Sequence, residues 1–159
     1  METTKQVSVF LENKPGRLAR VLLALAREKV NVIALCIMDS HEHSVLRLAV
    51  NDVPKTAEVL RGLNAQYTEA EVLVVDLRNQ PGALAHVCEQ LASEHVNIDY
   101  AYCSSGGRNG KVVGIFKVSN VEKALRVLRS PSLNNARRAD GRLPRKQVVT
   151  VGRPKAARP

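Results

Sequence analysis

Asn13-Lys14-Pro15-Gly16 and Asn79-Gln80-Pro81-Gly82 are the stretches of this chain whose residue types and spacing suit chemistry with a small molecule. Each stands between an apolar run of strand character and an apolar run of helical spacing. Gly16 and Gly82 lack a Cβ, so a ligand can approach the backbone closely and an unusual φ is tolerated. Pro15 and Pro81 stiffen the entry and fit near a helix start. The helix that follows presents unpaired N–H groups and a partial positive charge, which suit a carboxylate. Asn13 and Asn79 each offer an amide carbonyl that accepts from an ammonium group and an NH₂ that donates. A carboxylate receptor beside an ammonium acceptor is what a free α-amino acid requires. The competing reading is turn chemistry alone, since turns use Gly, Pro and Asn for backbone reasons.

Duplication weighs on that choice. Residues 13–32 and 79–98 align without gaps at an offset of 66, and eleven of the twenty pairs are identical. Shared helix-forming composition accounts for the common Leu and Ala. It does not account for the common Asn-x-Pro-Gly start or the common Val-Asn end at Asn31 and Asn97, so the chain reads as an internal repeat.

The other chemistry-bearing residues assemble into nothing comparable. Ser105–Lys111 lacks both the leading Gly and the trailing Ser or Thr of a phosphate-binding loop, and reads as a hairpin loop. Asp39, His41, Glu42 and His43 offer no closed ligand set for a metal. No nucleophile with a base partner and no paired carboxylates stand out. The expectation is a protein that is not an enzyme and needs no cofactor or metal.

The 159 residues suffice for two small units. Aromatics at 3%, with no Trp, imply an aliphatic core and speak against an aromatic platform for nucleic acid. The net charge of +9 is unevenly spread: residues 136–159 carry +7, and the rest of the chain only +2. That tail reads as a solvated or partner-docking segment, with nucleic-acid binding as the competitor. Three cysteines without a CxxC pair, no apolar run of membrane-spanning length and the polar start METTKQ point to a reducing, cytoplasmic setting and no membrane partner.

The elements that must position the repeated brackets follow from periodicity. Gln6–Leu11 predicts a strand; Leu18, Val21, Leu22, Leu25 and Ala26 recur as one face of a helix. Val30–Met38 and Val45–Val50 predict two strands joined by a polar turn, and Asp52-Val53-Pro54 opens a second helix. Residues 66–77 accommodate a closing strand and then the first strand of the next copy. The second copy repeats the order with Leu84, Val87, Cys88, Leu91 and Ala92 on its helix face. Each unit therefore reads β-α-β-β-α-β, a ferredoxin-like split βαβ with both helices on one face, and the fold class is α+β. Residues 1–70 form the first unit and 71–135 the second, with 136–159 as a basic, flexible tail. The second unit lacks an obvious last strand: the choice is a strand at 146–151, beyond an Arg-rich linker, or a unit left open.

ENKPGRLARVLLALAREKVNVIAL and RNQPGALAHVCEQLASEHVNIDY resemble ACT domains, amino-acid-responsive regulatory modules, and are similar to the serine-binding regulatory domain of phosphoglycerate dehydrogenase. The resemblance covers about residues 6–129. It implies units paired side by side so that their sheets join into one eight-stranded antiparallel sheet, with a free amino acid bound at the junction. The ligand-binding set it implies is Asn13, Pro15, Gly16, Arg17, Leu18 and Asn31 in the first copy, and Asn79, Pro81, Gly82, Ala83, Leu84 and Asn97 in the second. Relatives often carry His two residues before the motif Asn, where this chain has Leu11 and Leu77. No catalytic domain accompanies the pair, which implies a stand-alone sensor or a regulatory subunit. The alternatives are a regulatory subunit of an amino-acid biosynthetic enzyme such as acetolactate synthase, or a nucleic-acid-binding regulator working through the tail. A homo-oligomer is compatible with each.

Overall fold

The computed structural model describes residues 1–38, 43–104 and 111–129. Ten elements alternate in the repeated order: β1 (Glu2–Glu12), α1 (Arg17–Arg27), β2 (Val32–Met38), β3 (His43–Val50), α2 (Val53–Gly62), β4 (Tyr67–Arg78), α3 (Ala83–Ser93), β5 (Ile98–Cys103), β6 (Lys111–Val118) and α4 (Val121–Arg129). The six strands form one antiparallel sheet in the order β2-β3-β1-β4-β6-β5.

The repeat is written into the register of the two central strands. Lys5 lies directly opposite Glu71, and these two residues are themselves equivalents at the 66-residue offset. β1 and β4 are therefore related by a local twofold passing between them. This pairing makes each of the two central strands serve both units. Residues 67–69 of β4 flank Val7–Val9 and close the first unit, while Leu73–Arg78 of the same strand pair with β6 and open the second. In return, Glu2–Gln6 run beside Ala70–Val74, the place a fourth strand of the second unit would take.

The described residues thus carry six strands where the resemblance implied eight, because β1 and β4 each serve both units. The strand contemplated at 146–151 and the basic tail lie outside the described residues. Glu2–Gln6 of the polar start is a strand for the same reason: its ladder partner, rather than its composition, makes it one.

Alternation along the strands places both helix pairs on one face. Val7, Val9 and Leu11 meet Val21 and Leu25 of α1 and Leu60 of α2; Leu73, Val75 and Leu77 meet Val87 and Leu91 of α3 and Ala124 and Leu128 of α4. Cross-strand neighbours share a face, and Thr3 opposite Leu73 sets the two cores on the same side. The other face is concave. The sheet curls until its edge strands β2 and β5 meet over a small core of Ala34, Ala49, Val72 and Ile115. Gln6, fully buried, donates from Nε2 to Ser8 Oγ (2.9 Å) and Tyr100 OH (3.0 Å), and its Oε1 accepts from Tyr102 OH (3.0 Å). The Arg47 guanidinium stacks 4.0 Å above the Tyr100 ring. Burial pushes the Tyr102 hydroxyl well above its usual pKa. These contacts tie the first unit's β1 and β3 to the second unit's β5.

Candidate functional site

Both Asn-x-Pro-Gly brackets fold into the same strand-to-helix turn. The Lys14 N–H donates to Glu12 O and the Gln80 N–H to Arg78 O, each at 2.8 Å. The Arg20 N–H donates to Gly16 O and the His86 N–H to Gly82 O, each at 2.9 Å. Gly16 and Gly82 take φ of 83° and 85°, the left-handed region in which a side chain is strained. A Cβ placed on either glycine would meet nothing within 4 Å. Conformation therefore dictates the glycines, and the space above them is open.

The four helix starts differ in a way that matters for binding. α2 is capped by Asp52, whose Oδ1 accepts from the Lys55 N–H at 2.9 Å. Ahead of α4, the Asn120 Oδ1 accepts from the Lys123 N–H at 2.8 Å. The starts of α1 and α3 have no side-chain cap. A helix start left without a side-chain acceptor is a ready receptor for an external carboxylate. The second helix of each unit is finished by its own sequence, and the first is not.

A groove follows each uncapped start. Beside α3 it measures about 680 Å³ and is lined by Pro81, Gly82, His86, Gln90, Leu77 and Leu128, among others. Beside α1 it measures about 330 Å³, and the Leu63–Gln66 connection forms one of its walls. Side chains make the first groove more crowded. Arg17 Nη2 donates to Glu12 Oε2 at 2.6 Å, and Lys14 Nζ approaches the same oxygen at 3.3 Å. The hydrogen bonds from Arg17 and then Lys14 hold the Glu12 carboxyl below its ordinary range. The pair is therefore formed at neutral pH and is lost as pH falls through that lowered value. At the equivalent positions the second unit has Arg78, Ala83 and Gln80, so its mouth has no such clasp.

The remaining sequence-derived site residues fall elsewhere. The Asn31 N–H donates to Asn51 Oδ1 (2.8 Å) and Asn31 O accepts from the Asn51 N–H (3.1 Å). Asn97 repeats this with Ser119 (3.1 and 3.0 Å) and donates from Nδ2 to Asp99 Oδ1 (3.1 Å). The Val-Asn brackets thus lock the start of the second strand to the end of the third. Asn13 follows Glu12, which pairs with His43 at one end of β3, whereas Val32, next to Asn31, pairs with Val50 at its other end. The eight residues of β3 separate them by about 25 Å at roughly 3.3 Å per residue. A single chain brings Asn13, Pro15, Gly16, Arg17 and Leu18 together, and likewise Asn79, Pro81, Gly82, Ala83 and Leu84. It does not bring Asn31 or Asn97 to them. Leu11 and Leu77 are buried on the helix-covered face.

Gln90 and His86 were not among the residues selected by sequence. The signal was present: Gln90 interrupts an apolar helix face at the position where the first copy has Ala24. Among the described residues no His, Cys, Asp and Glu cluster could hold a metal ion, and no helix is long and apolar enough to cross a membrane.

Comparison with known proteins follows this geometry. A family model described as an ACT domain pair matches residues 2–140. The crystal structure of protein BT0572 from Bacteroides thetaiotaomicron is 36% identical, with a TM-score of 0.73 over 79% of this chain and 86% of that one. The ligand-free regulatory subunit of aspartate kinase from Thermus thermophilus is 16% identical, with a TM-score of 0.60 over 80% of this chain and 95% of that one, a likeness of fold. No curated protein matches the chain.

Proposed function

The chain belongs to the ACT domain pair family, a family of regulatory modules, and from that premise we propose that it is a sensor or regulatory protein that binds a free amino acid at its uncapped first helices. The observation that carries the reading is the contrast within each unit. Asp52 and Asn120 complete the second helices, while α1 and α3 begin on left-handed glycines with no side-chain cap. The α-carboxylate is received by the backbone at Gly16–Leu18 or Gly82–Leu84, and the Asn13 or Asn79 amide lies at the same turn for the ammonium group. A ligand that favours one arrangement of the units or of a partner then shifts that equilibrium by its difference in affinity. The fold shared with separate regulatory subunits of aspartate kinase supports an amino-acid biosynthetic enzyme as the regulated partner.

A thermal-shift screen of the full chain against the twenty amino acids tests the reading. A ligand at about 100 times its Kd adds about 2.7 kcal/mol and several degrees of Tm. Absence of a shift with every amino acid at millimolar concentration would overturn it.

The first-unit site gains its missing half from a second copy. β2 exposes Ile33, Leu35, Ile37 and Met38, whereas the equivalent positions of β5 and its end hold Asp99, Ala101, Cys103 and Ser104. VIALCIM carries no charge, and a twofold antiparallel pairing of β2 with itself about Leu35 sets each residue i of one copy against a residue j of the other, and j against i. That register sets Val32 of one copy against Met38 of the other. It carries Asn31 to the end where the other copy's Asn13 sits. Leu35→Asp is expected to turn a dimer into a monomer by sedimentation or light scattering, with Ala101→Asp as the unaffected control. A monomeric parent chain would contradict the pairing.

A further inference from the structure

The groove beside α3 contains a polar group that the fold itself leaves unused. Gln90 is 92% buried, lines the groove, and its side-chain amide makes no hydrogen bond among the described residues. Its amide atoms remain reachable from the groove, since the only fully buried side-chain nitrogen or oxygen without a partner among the described residues is Arg47 Nε. The first copy offers an internal control. Ala24 stands in the same place, and the corresponding groove is about half the volume. The amide is thus a feature of the second unit alone, located where a groove makes it useful.

Building on the amino-acid reading above, we propose that Gln90 is a specificity-determining residue that selects, at the second unit, an amino acid whose side chain ends in a hydrogen-bonding group several bonds from Cα. Gln90 lies eight residues beyond Gly82, about 12 Å along the helix axis at 1.5 Å per residue. Its side chain leans back toward the helix start. A ligand whose carboxylate sits at the Gly82–Leu84 amides must therefore extend its second polar group well beyond the reach of serine or threonine. Val75, Leu77, Val87 and Leu128 line the space between and suit a methylene stem. A carboxamide both donates and accepts. The ligand class is consequently long and polar: glutamine, lysine, arginine or glutamate, as opposed to an aliphatic amino acid of equal length.

The test is calorimetric titration of the full chain with glutamine, lysine, arginine, glutamate, serine and norleucine, repeated on Gln90→Leu, which keeps the volume and removes the amide. At least one long polar amino acid should bind the parent chain at least tenfold more tightly than norleucine and serine. Gln90→Leu should weaken that ligand about tenfold. The unliganded variant should melt close to the parent, since no hydrogen bond within the described residues is lost. Equal binding of norleucine or serine, or a preference unchanged in Gln90→Leu, would overturn the role of Gln90 while leaving amino-acid binding intact. Absence of binding by any of the twenty amino acids would instead overturn the functional reading on which it rests.

Discussion

Phe116→Ala is expected to destabilise the chain by about 4 kcal/mol, the largest effect of any single truncation in the second unit. Phe116 is fully buried, lies opposite Leu73 in the β4–β6 ladder, and belongs to the core shared with Val87, Leu91 and Leu128. Its ring has room only because residue 114 is glycine. A Cβ there would stand 2.8 Å from Phe116 Cε2 and 3.0 Å from Leu77 Cδ1. Gly114→Ala should therefore also destabilise, by about 1–3 kcal/mol from overpacking, although its φ is not the left-handed kind. Adding Phe116→Leu should relieve much of that strain. Urea denaturation of the two single variants and the double variant measures the coupling. Strictly additive changes would show that the ring does not determine the glycine. The consequence reaches the site, because Leu77 lines the groove beside α3 and abuts the same glycine.

Gln6→Ala is expected to destabilise by about 3 kcal/mol, more than one lost hydrogen bond, because it leaves Tyr100 and Tyr102 without their buried partner and opens a cavity as well. Gln6 belongs to the first unit and both tyrosines to the second, so the network joins the units across the concave face. Tyr102→Phe, which removes one hydroxyl, should lose only about 1 kcal/mol. Denaturation curves that give Gln6→Ala and Tyr102→Phe equal losses would sink the assignment of Gln6 as the hub.

Much of this architecture was legible in the sequence, for identifiable reasons. The 66-residue offset, the turn at each Asn-x-Pro-Gly and the helical spacing of Leu18, Val21, Leu22 and Leu25 are local features, and local features survive folding unchanged. Tyr67–Arg78 was readable as closing one unit and opening the next because the 66-residue offset sets the second copy's first strand at Val72–Leu77, directly after the residues that end the first copy. The strand Glu2–Lys5 was not readable, because its side chains are polar and only its partner Glu71–Val74 makes it a strand. The same long-range pairing sets Glu2–Gln6 beside Ala70–Val74 on the second unit's flank, which no count along the chain could locate. At the site, the glycines and the turn were legible from residue type. The separation of Asn13 from Asn31 was not, since it depends on which end of β3 each bracket reaches. Gln90 escaped notice because a single polar residue on an apolar helix face is ordinary until its burial and lack of a partner are known.

The central claim, that the uncapped starts of α1 and α3 receive the carboxylate of a free amino acid, is tested most directly by nuclear magnetic resonance. Titrating the ¹⁵N-labelled full chain with the amino acid that raises its Tm should move the backbone amides of Gly82, Ala83 and Leu84, or of Gly16, Arg17 and Leu18, first and furthest. The amides of Lys55 and Lys123, at the starts already capped by Asp52 and Asn120, should stay in place. Saturable shifts centred anywhere other than the two glycine-led turns, or an unchanged spectrum, would contradict the account.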